Sequence, residues 1–354
     1  MSVWDGTLPD VWERMARSEK PLVLYGTGDG ADKILSVMER RGLRAAGVFA
    51  SDGFVRSRTF QGMPVLSLEE ARARFGDMLV VIAFGSSRPE VLANFARLDA
   101  EFETVAPDVP VAGTELFDLA FFDAHRARFE ELRDWLCDAE SRTLLEEILY
   151  ARLTGSITGL LRAYSDRRQV WRELLHPERW EAVCDLGAYN GDTLRELLKI
   201  SPGIGRLYAM EPDARSFRKL SAWAEQARPD AVLCNAAAWN TETTLRFAAH
   251  GSRSSGAGAL GKTVEVCALP PDSLLQGARV DYLKYDVEGA EAEALAGSVQ
   301  TIRRWRPVLC VSAYHRSADL AVLPRLIRSI REDYRFYLRR WAGVPAWDIN
   351  LYCL

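Results

Sequence analysis

From residue 21 onward, short apolar runs alternate with stretches whose apolar positions recur every three or four residues, as strands alternating with helices do. PLVLYG predicts a buried strand, ADKILSVMERRG a helix closed by glycine, and LRAAGVFAS a second strand. SLEEARARFG reads as a serine-capped helix, MLVVIAF as a third strand, and SRPEVLANFARL as a helix with proline in its first turn. These elements predict a small Rossmann-like α/β domain over residues 1–112.

Strand signals then vanish. In LFDLAFFDAHRARFEELRDWL, Phe117, Phe121, His125, Phe129, Leu132 and Leu136 fall on one helical face, which reads His125 as part of that face rather than a ligand. DAESRTLLEEILYARLTG predicts a second helix, capped by Asp138 or Ser141 and ending near Gly155. Residues 113–179 are therefore read as a helical connector docked on the domain that follows.

Alternation resumes over residues 180–354. AVCDLG, RLYAMEP, AVLCNA, VDYLKYD and PVLCVSAYH read as buried parallel strands. TTLRFAA and TVEVCAL alternate with period two and predict an inserted antiparallel pair, separated by the glycine- and serine-rich HGSRSSGAGALG. YRFYLRRW and WDINLYCL predict a final pair with no room for a helix between them. The fold class is α/β: a parallel sheet with an antiparallel C-terminal strand, a smaller N-terminal α/β domain and the connector.

Composition narrows the class of partner. A hydrophobic content of 48% over 354 residues fits soluble globular domains, and the formal net charge of −4 leaves no electrostatic footprint for nucleic acid or an anionic membrane. With no targeting segment or apolar span, the expectation is a cytoplasmic protein. The six cysteines show no close pair and are read as buried reduced thiols, with no metal expected.

Two glycine turns follow strands and open helices. In LYGTGDGADK, Gly26, Gly28 and Ala31 satisfy G-x-G-x-x-A, and Asp52 follows the next strand, where a ribose-binding acid would stand. Such a turn serves a nucleotide phosphate or merely close strand–helix packing. In CDLGAYNGDT, Asp185 ends the strand, Gly187 and Gly191 bend the chain, and Asp192 or Thr193 caps the helix. A carboxylate there suits a cofactor carrying an ammonium or sulfonium better than one carrying a pyrophosphate. Glu211, twenty residues beyond Gly191, ends the next strand and is placed to accept both ribose hydroxyls; Asn235 ends the third, near an adenine. The pattern points to S-adenosylmethionine at the second turn.

DLGAYNGDT, AMEPDARSFRKL, NAAAWN and VDYLKYDVEGAE, with the tail SAYHRSADLAVLP, YRFYLRRW and WDINLYCL, resemble the FkbM-type methyltransferases, a branch of the class I S-adenosylmethionine-dependent fold. The resemblance spans residues 180–354 and implies O-methylation of a sugar, polysaccharide or natural-product hydroxyl. The partners it implies are a small-molecule or glycan substrate and, through the N-terminal domain, another copy or a biosynthetic partner. It places Asp185, Gly187, Tyr189, Asn190, Gly191, Thr193, Glu211, Asn235 and Asp286 against the cofactor. Tyr189 departs from the class I pattern by standing at the middle glycine of D-x-G-x-G-x-G. Its ring either covers the cofactor or packs on the connector.

Methyl transfer to a hydroxyl needs alignment and a proton acceptor. His315, at the end of PVLCVSAYH, is the expected base, oriented by Asp286 or Asp319, or else a polar cap on the helix beginning near Ser317; Asp286 is expected to border the methyl end. Glu288 is read equally as a substrate contact or a helix cap, and Glu291 as a cap. Lys284, inside an apolar strand, is read as ion-paired with Asp286 or Glu288 or as touching substrate. Arg339 and Arg340 are read as a clamp for an anionic substrate group or as a solvated strand end. Lesser readings are a metal held by Asp286, Glu288 and His315, an NAD site at the first turn, and a non-catalytic nucleotide-sensing scaffold.

Overall fold

The computed structural model describes residues 3–5, 8–51, 59–248 and 263–354. Asp52 and the stretch HGSRSSGAGALG lie outside these residues. The N-terminal sheet contains β1 (Leu22–Tyr25), β2 (Gly47–Phe49), β3 (Thr59–Phe60), β4 (Met63–Leu66), β5 (Leu79–Ile82) and β6 (Glu103–Val105), ordered β3-β4-β2-β1-β5-β6. All pairings are parallel except the β3–β4 hairpin. The hairpin and β6 extend the three strands expected from sequence. Ser67 caps the helix Leu68–Phe75 through a full capping box with Glu70.

The C-terminal sheet contains β7 (Ala182–Leu186), β8 (Arg206–Met210) and β9 (Val232–Cys234). A separate small sheet joins β10 (Ala237–Ala238), β11 (Thr243–Ala248) and β12 (Thr263–Leu269), the last two being the expected antiparallel pair. The main sheet resumes with β13 (Tyr282–Tyr285), β14 (Val308–Ser312), β15 (Phe336–Arg340) and β16 (Ile349–Cys353). Its order is β15-β16-β14-β13-β7-β8-β9, with β16 antiparallel to both neighbours. This is the anticipated parallel sheet with an antiparallel C-terminal strand.

The connector helices Leu119–Trp135 and Ala139–Thr154 begin at Asp118 and Asp138, whose carboxylates accept from the backbone N–H three residues on. Their buried residues Phe122, Leu145 and Leu149 belong to one continuous apolar core that includes Val23 and Val80 of the first sheet and Leu283 and Leu351 of the second. The helix pair is therefore an internal layer shared by both sheets. His125 stacks on Phe121, its Nδ1 bonded to the Phe121 carbonyl, as part of that layer.

In each sheet the chain reverses its winding direction between two parallel strands: between β1 and β5 in the first, and between β7 and β13 in the second. The loops leaving two such strands diverge to opposite faces and leave a crevice at the carboxyl ends. Each glycine turn stands at one of these points.

Candidate functional site

At the second switch point the backbones of two loops nearly touch. Gly187 has φ +82, and a Cβ there would lie 1.9 Å from the Asp286 carbonyl oxygen. Glycine is thus required for the β7 and β13 loops to close side by side. Tyr189 adopts φ +49, the left-handed backbone that a glycine at this motif position would accept without strain. That conformation aims its N–H at Glu211 Oε2, 2.7 Å away.

A cavity of about 450 Å³ opens over these loops, within the range that small-molecule sites occupy. Gly187, Tyr189 and Thr193 form one side, Glu211 to Asp213 and Ala237 to Trp239 the next, and Lys284 with Asp286 to Glu288 the floor. Trp171, Tyr314, Trp341 and Asp348 close the remainder. Sequence reasoning passed over this last wall. The spacing of Val170, Trp171, Leu174 and Leu175 behind Asp166 was the available signal, and these residues do form helical turns at Arg167–Gln169 and Val170–Leu175.

Glu211 stands where expected. Its Oε1 accepts from Asp213 N at 2.8 Å while Oε2 takes Tyr189 N, so both oxygens are oriented and each keeps a lone pair toward the cavity. Burial pushes its carboxyl up to about 7, against the pull of the two backbone donors. Asn235 acts behind it rather than on an adenine: its amide donates to the Glu211 and Pro212 carbonyls, and the residue does not line the cavity. Asn190 accepts from Arg195 and Gly191 packs beneath Leu220 and Trp223, so neither lines the cavity. Gly191 is itself the helix N-cap, in place of Asp192 or Thr193, both of which do line the cavity.

Lys284 resolves the question of its partners. Its Nζ lies 3.3 Å from Asp185 Oδ1 and 3.2 Å from Asp286 Oδ2, and Glu288 is not among its contacts. Asp185 is almost wholly buried and off the cavity wall, so it reaches the cavity only through Lys284. Burial raises its carboxyl to about 6 despite that ammonium. Asp286 is different. Burial opposes its ionisation, but Lys284, His315 and the Ser312 hydroxyl at 3.0 Å together hold it below the usual carboxylate range.

The expected base does not fit its assignment. His315 is 1% exposed and absent from the cavity wall. Its Nδ1 lies 2.9 Å from Glu291 Oε1, and its Nε2 lies 3.6 Å from both Asp286 Oδ1 and Glu288 Oε2. Burial would discharge the ring, but Glu291, Glu288 and Asp286 outweigh it and lift the imidazole to about 10. At neutral pH it is an imidazolium with no capacity to accept a proton. Glu291 also accepts from Val287 N and Gly289 N, which makes it the staple of the turn. Among the described residues no group of His, Cys, Asp and Glu is arranged to hold a metal ion.

The arginine clamp is corrected too. Arg339 turns to the connector, where it bonds Asp138 at 2.6 Å, Ser141 and Glu140. Arg340 is fully buried and donates to the carbonyls of Leu160, Ala163 and Gly343. Burial lowers its guanidinium to about 10. Of the cysteines, Cys184, Cys310 and Cys353 are buried as expected, whereas Cys137 and Cys267 are exposed.

The first turn presents other surroundings. Gly26 has φ +118, and a Cβ on it would meet the Phe84 ring at 2.6 Å. A Cβ on Gly85 would meet Trp347 at 2.2 Å, and Ser86 pairs with Val344. Lys33 donates to the carbonyls of Pro110 and Val111. The loop between β15 and β16 is thereby seated on the first sheet.

Residues 185–336 match the family model of the methyltransferase FkbM domain. That stretch of the chain, from the end of β7 to the start of β15, is similar to the FkbM methyltransferase domain. The crystal structure of methyltransferase FkbM from Methylobacillus flagellatus KT superposes with a TM-score of 0.72 at 22% identity, covering 99% of this chain and 94% of that one. The N-terminal sheet and helical layer thus belong to the shared fold. Fibrillarin from Aeropyrum pernix, solved with natively bound S-adenosyl-L-methionine, covers 49% of this chain and 66% of its own at 16% identity, TM-score 0.32. Precorrin-6y C5,15-methyltransferase from Geobacter metallireducens GS-15 covers 55% and 91% at 11% identity, TM-score 0.34. At those scores neither bears on this chain's chemistry. No curated protein matches the sequence. Among the described residues, no helix is long and apolar enough to cross a membrane.

Proposed function

We propose that the protein is an S-adenosylmethionine-dependent O-methyltransferase acting on a hydroxyl of a small molecule or glycan. The observation that carries this reading is the charge of the cavity at the second switch point. Asp192, Glu196, Glu211, Asp213, Asp286, Glu288 and Asp348 line it, against Arg167 and Lys284. Such a wall favours a ligand bearing a sulfonium and an ammonium, and opposes a pyrophosphate. Glu211, oriented by two backbone donors, has the remaining lone pairs that a ribose diol requires.

When bound, S-adenosylmethionine supplies a methyl group already activated by its sulfonium. The chain's part is alignment, exclusion of water and removal of a proton. Trp171, Trp341 and Tyr314 give the acceptor's side of the cavity flat apolar faces, while Asp348 and Asn350 offer hydrogen-bonding groups. Ring faces beside carboxylate and amide groups suit a hydroxylated ring compound. Arg167, over the Trp341 ring at 5.4 Å and paired with Glu196, already has its charge satisfied.

Two measurements test this. Calorimetry should show S-adenosylmethionine and its demethylated product binding the intact protein, and NAD failing to bind. Label from methyl-tritiated S-adenosylmethionine should enter the small-molecule or glycan fraction of a cell extract as an alkali-stable ether. Binding of NAD alone, or label confined to protein or to alkali-labile esters, would refute the proposal.

A further inference from the structure

With His315 charged and enclosed, the cavity needs another proton acceptor, and Asp286 is committed to Lys284 and Ser312. Glu288 is the neighbouring carboxylate. It follows Asp286 and Val287 on the cavity wall and adopts φ +54, a left-handed backbone that non-glycine residues hold only under constraint. The constraint is visible. Glu291 Oε1 accepts from Val287 N and Gly289 N, and Arg316 Nε donates to the Gly289 carbonyl at 2.6 Å. Ala112 packs so closely on Gly289 that a Cβ there would lie 2.5 Å away. Behind the turn stands the His315 ring, whose Nε2 has no hydrogen-bond partner and lies 3.6 Å from Glu288 Oε2.

We propose that Glu288 is the base that removes the acceptor's hydroxyl proton, and that the positive charge of the bound methyl donor holds it ionised for that task. This rests on the reading of the cavity as an S-adenosylmethionine and hydroxyl site. In the step, an oxygen lone pair forms the new O–CH3 bond and the methyl–sulfur bonding pair stays on sulfur, leaving a neutral thioether. The hydroxyl proton passes to the Glu288 carboxylate and then to solvent through the cavity mouth. His315 does not exchange protons in this scheme. It is a positioning residue whose fixed charge, anchored by Glu291, keeps the Glu288 carboxylate oriented.

Two carboxylates side by side with opposite environments are the usual sign of divided roles. The groups facing Glu288 are Asp286 and Glu291 from its own segment, His315 and Tyr314 from the loop after β14, and Glu211 from the loop after β8. Burial, with the repulsion of Asp286, Glu291 and Glu211, outweighs the attraction of His315 and raises Glu288 to about 7. Asp286 is held low by Lys284 and His315. A base that titrates near neutrality is suited to proton removal at physiological pH. It is also half-protonated in the empty site, so a sulfonium entering beside it must expel a proton.

The test is calorimetry of the intact protein at pH 7 in two buffers of different ionisation enthalpy, which counts the protons released on binding. S-adenosylmethionine should release up to about half a proton more than S-adenosylhomocysteine, which has the same ribose and amino acid but no sulfonium. Linkage through the ribose contacts of Glu211 is common to both ligands and cancels. The excess should vanish in Glu288→Gln. In the wild-type protein it should fade by pH 8.5, where the free carboxylate is already ionised, so the proposal stays exposed even if the variant does not fold. Equal proton release for the two ligands, or an excess that survives in Glu288→Gln, overturns it. Failure of S-adenosylmethionine to bind at all removes the underlying reading instead, and this proposal with it.

Discussion

The two glycine turns occupy the same place in their sheets and differ in what the chain sets above them. At the first, Gly26 packs under Phe84, Gly85 under Trp347, and Ser86 pairs with Val344. The crevice edge there receives a loop of the C-terminal half, a loop whose Trp341 and Asp348 also wall the cavity at the second turn. At the second, the chain leaves a space ringed by carboxylates and floors it with Lys284. A switch point supplies a crevice in either case, and the side chains decide whether it becomes a ligand site or a bearing surface.

The largest effect is expected at the carboxylate cluster, which has no counterpart among the described residues at the first turn. His315→Gln removes the cation shared by Glu291, Glu288 and Asp286, and should cost about 3–5 kcal/mol in denaturant unfolding. The imidazole rises from 6.5 to about 10 in the fold, so its contribution is complete below pH 6.5 and is lost as pH rises through 10. The stability gap between wild type and variant should therefore narrow from pH 6.5 to 10. A gap that widens over this window would mean the ring is neutral in the fold.

Next in size are the glycines themselves. Gly187→Ala combines a left-handed backbone with a 1.9 Å approach to the Asp286 carbonyl and should lose about 3 kcal/mol or more. Gly28→Ala meets nothing within 4 Å on an extended backbone and should lose under about 1 kcal/mol. Comparable losses at both, read from thermal melts, would erase the distinction between the turns.

Arg339→Ala separates structural from substrate roles. With its hydrogen bonds spent on Asp138 and Ser141, its removal should cost about 2–3 kcal/mol of stability and leave S-adenosylmethionine affinity unchanged. Weakened binding in a fully stable variant would return Arg339 to the cavity.

Much of this was legible in the chain. Buried parallel strands are apolar runs, so PLVLYG, MLVVIAF, AVCDLG and PVLCVSAYH could be placed, and Asp138 and Ser67 announced their helices by cap chemistry. The hairpin Thr59–Leu66 and β6 escaped because strands this short carry little alternation. Glu211 and Gly187 were accessible because strand ends and tight turns are local features. The charge state of His315 was not. It depends on Glu291, twenty-four residues away in sequence, folding back beneath the ring. The direction of Arg339 was equally hidden, because the helix capped by Asp138 lies about two hundred residues earlier.

The central claim is that the second turn, not the first, holds the cofactor, and one calorimetric series addresses it directly. S-adenosylmethionine should bind Glu211→Gln more weakly than wild type by roughly 1.5–3 kcal/mol, about ten- to hundredfold, because an oriented anionic acceptor is lost. Asp52→Asn, which removes the ribose-binding acid that the sequence assigns to the first turn, should leave that affinity unchanged. Full affinity in Glu211→Gln together with a loss in Asp52→Asn would contradict the account and move the cofactor to the N-terminal sheet.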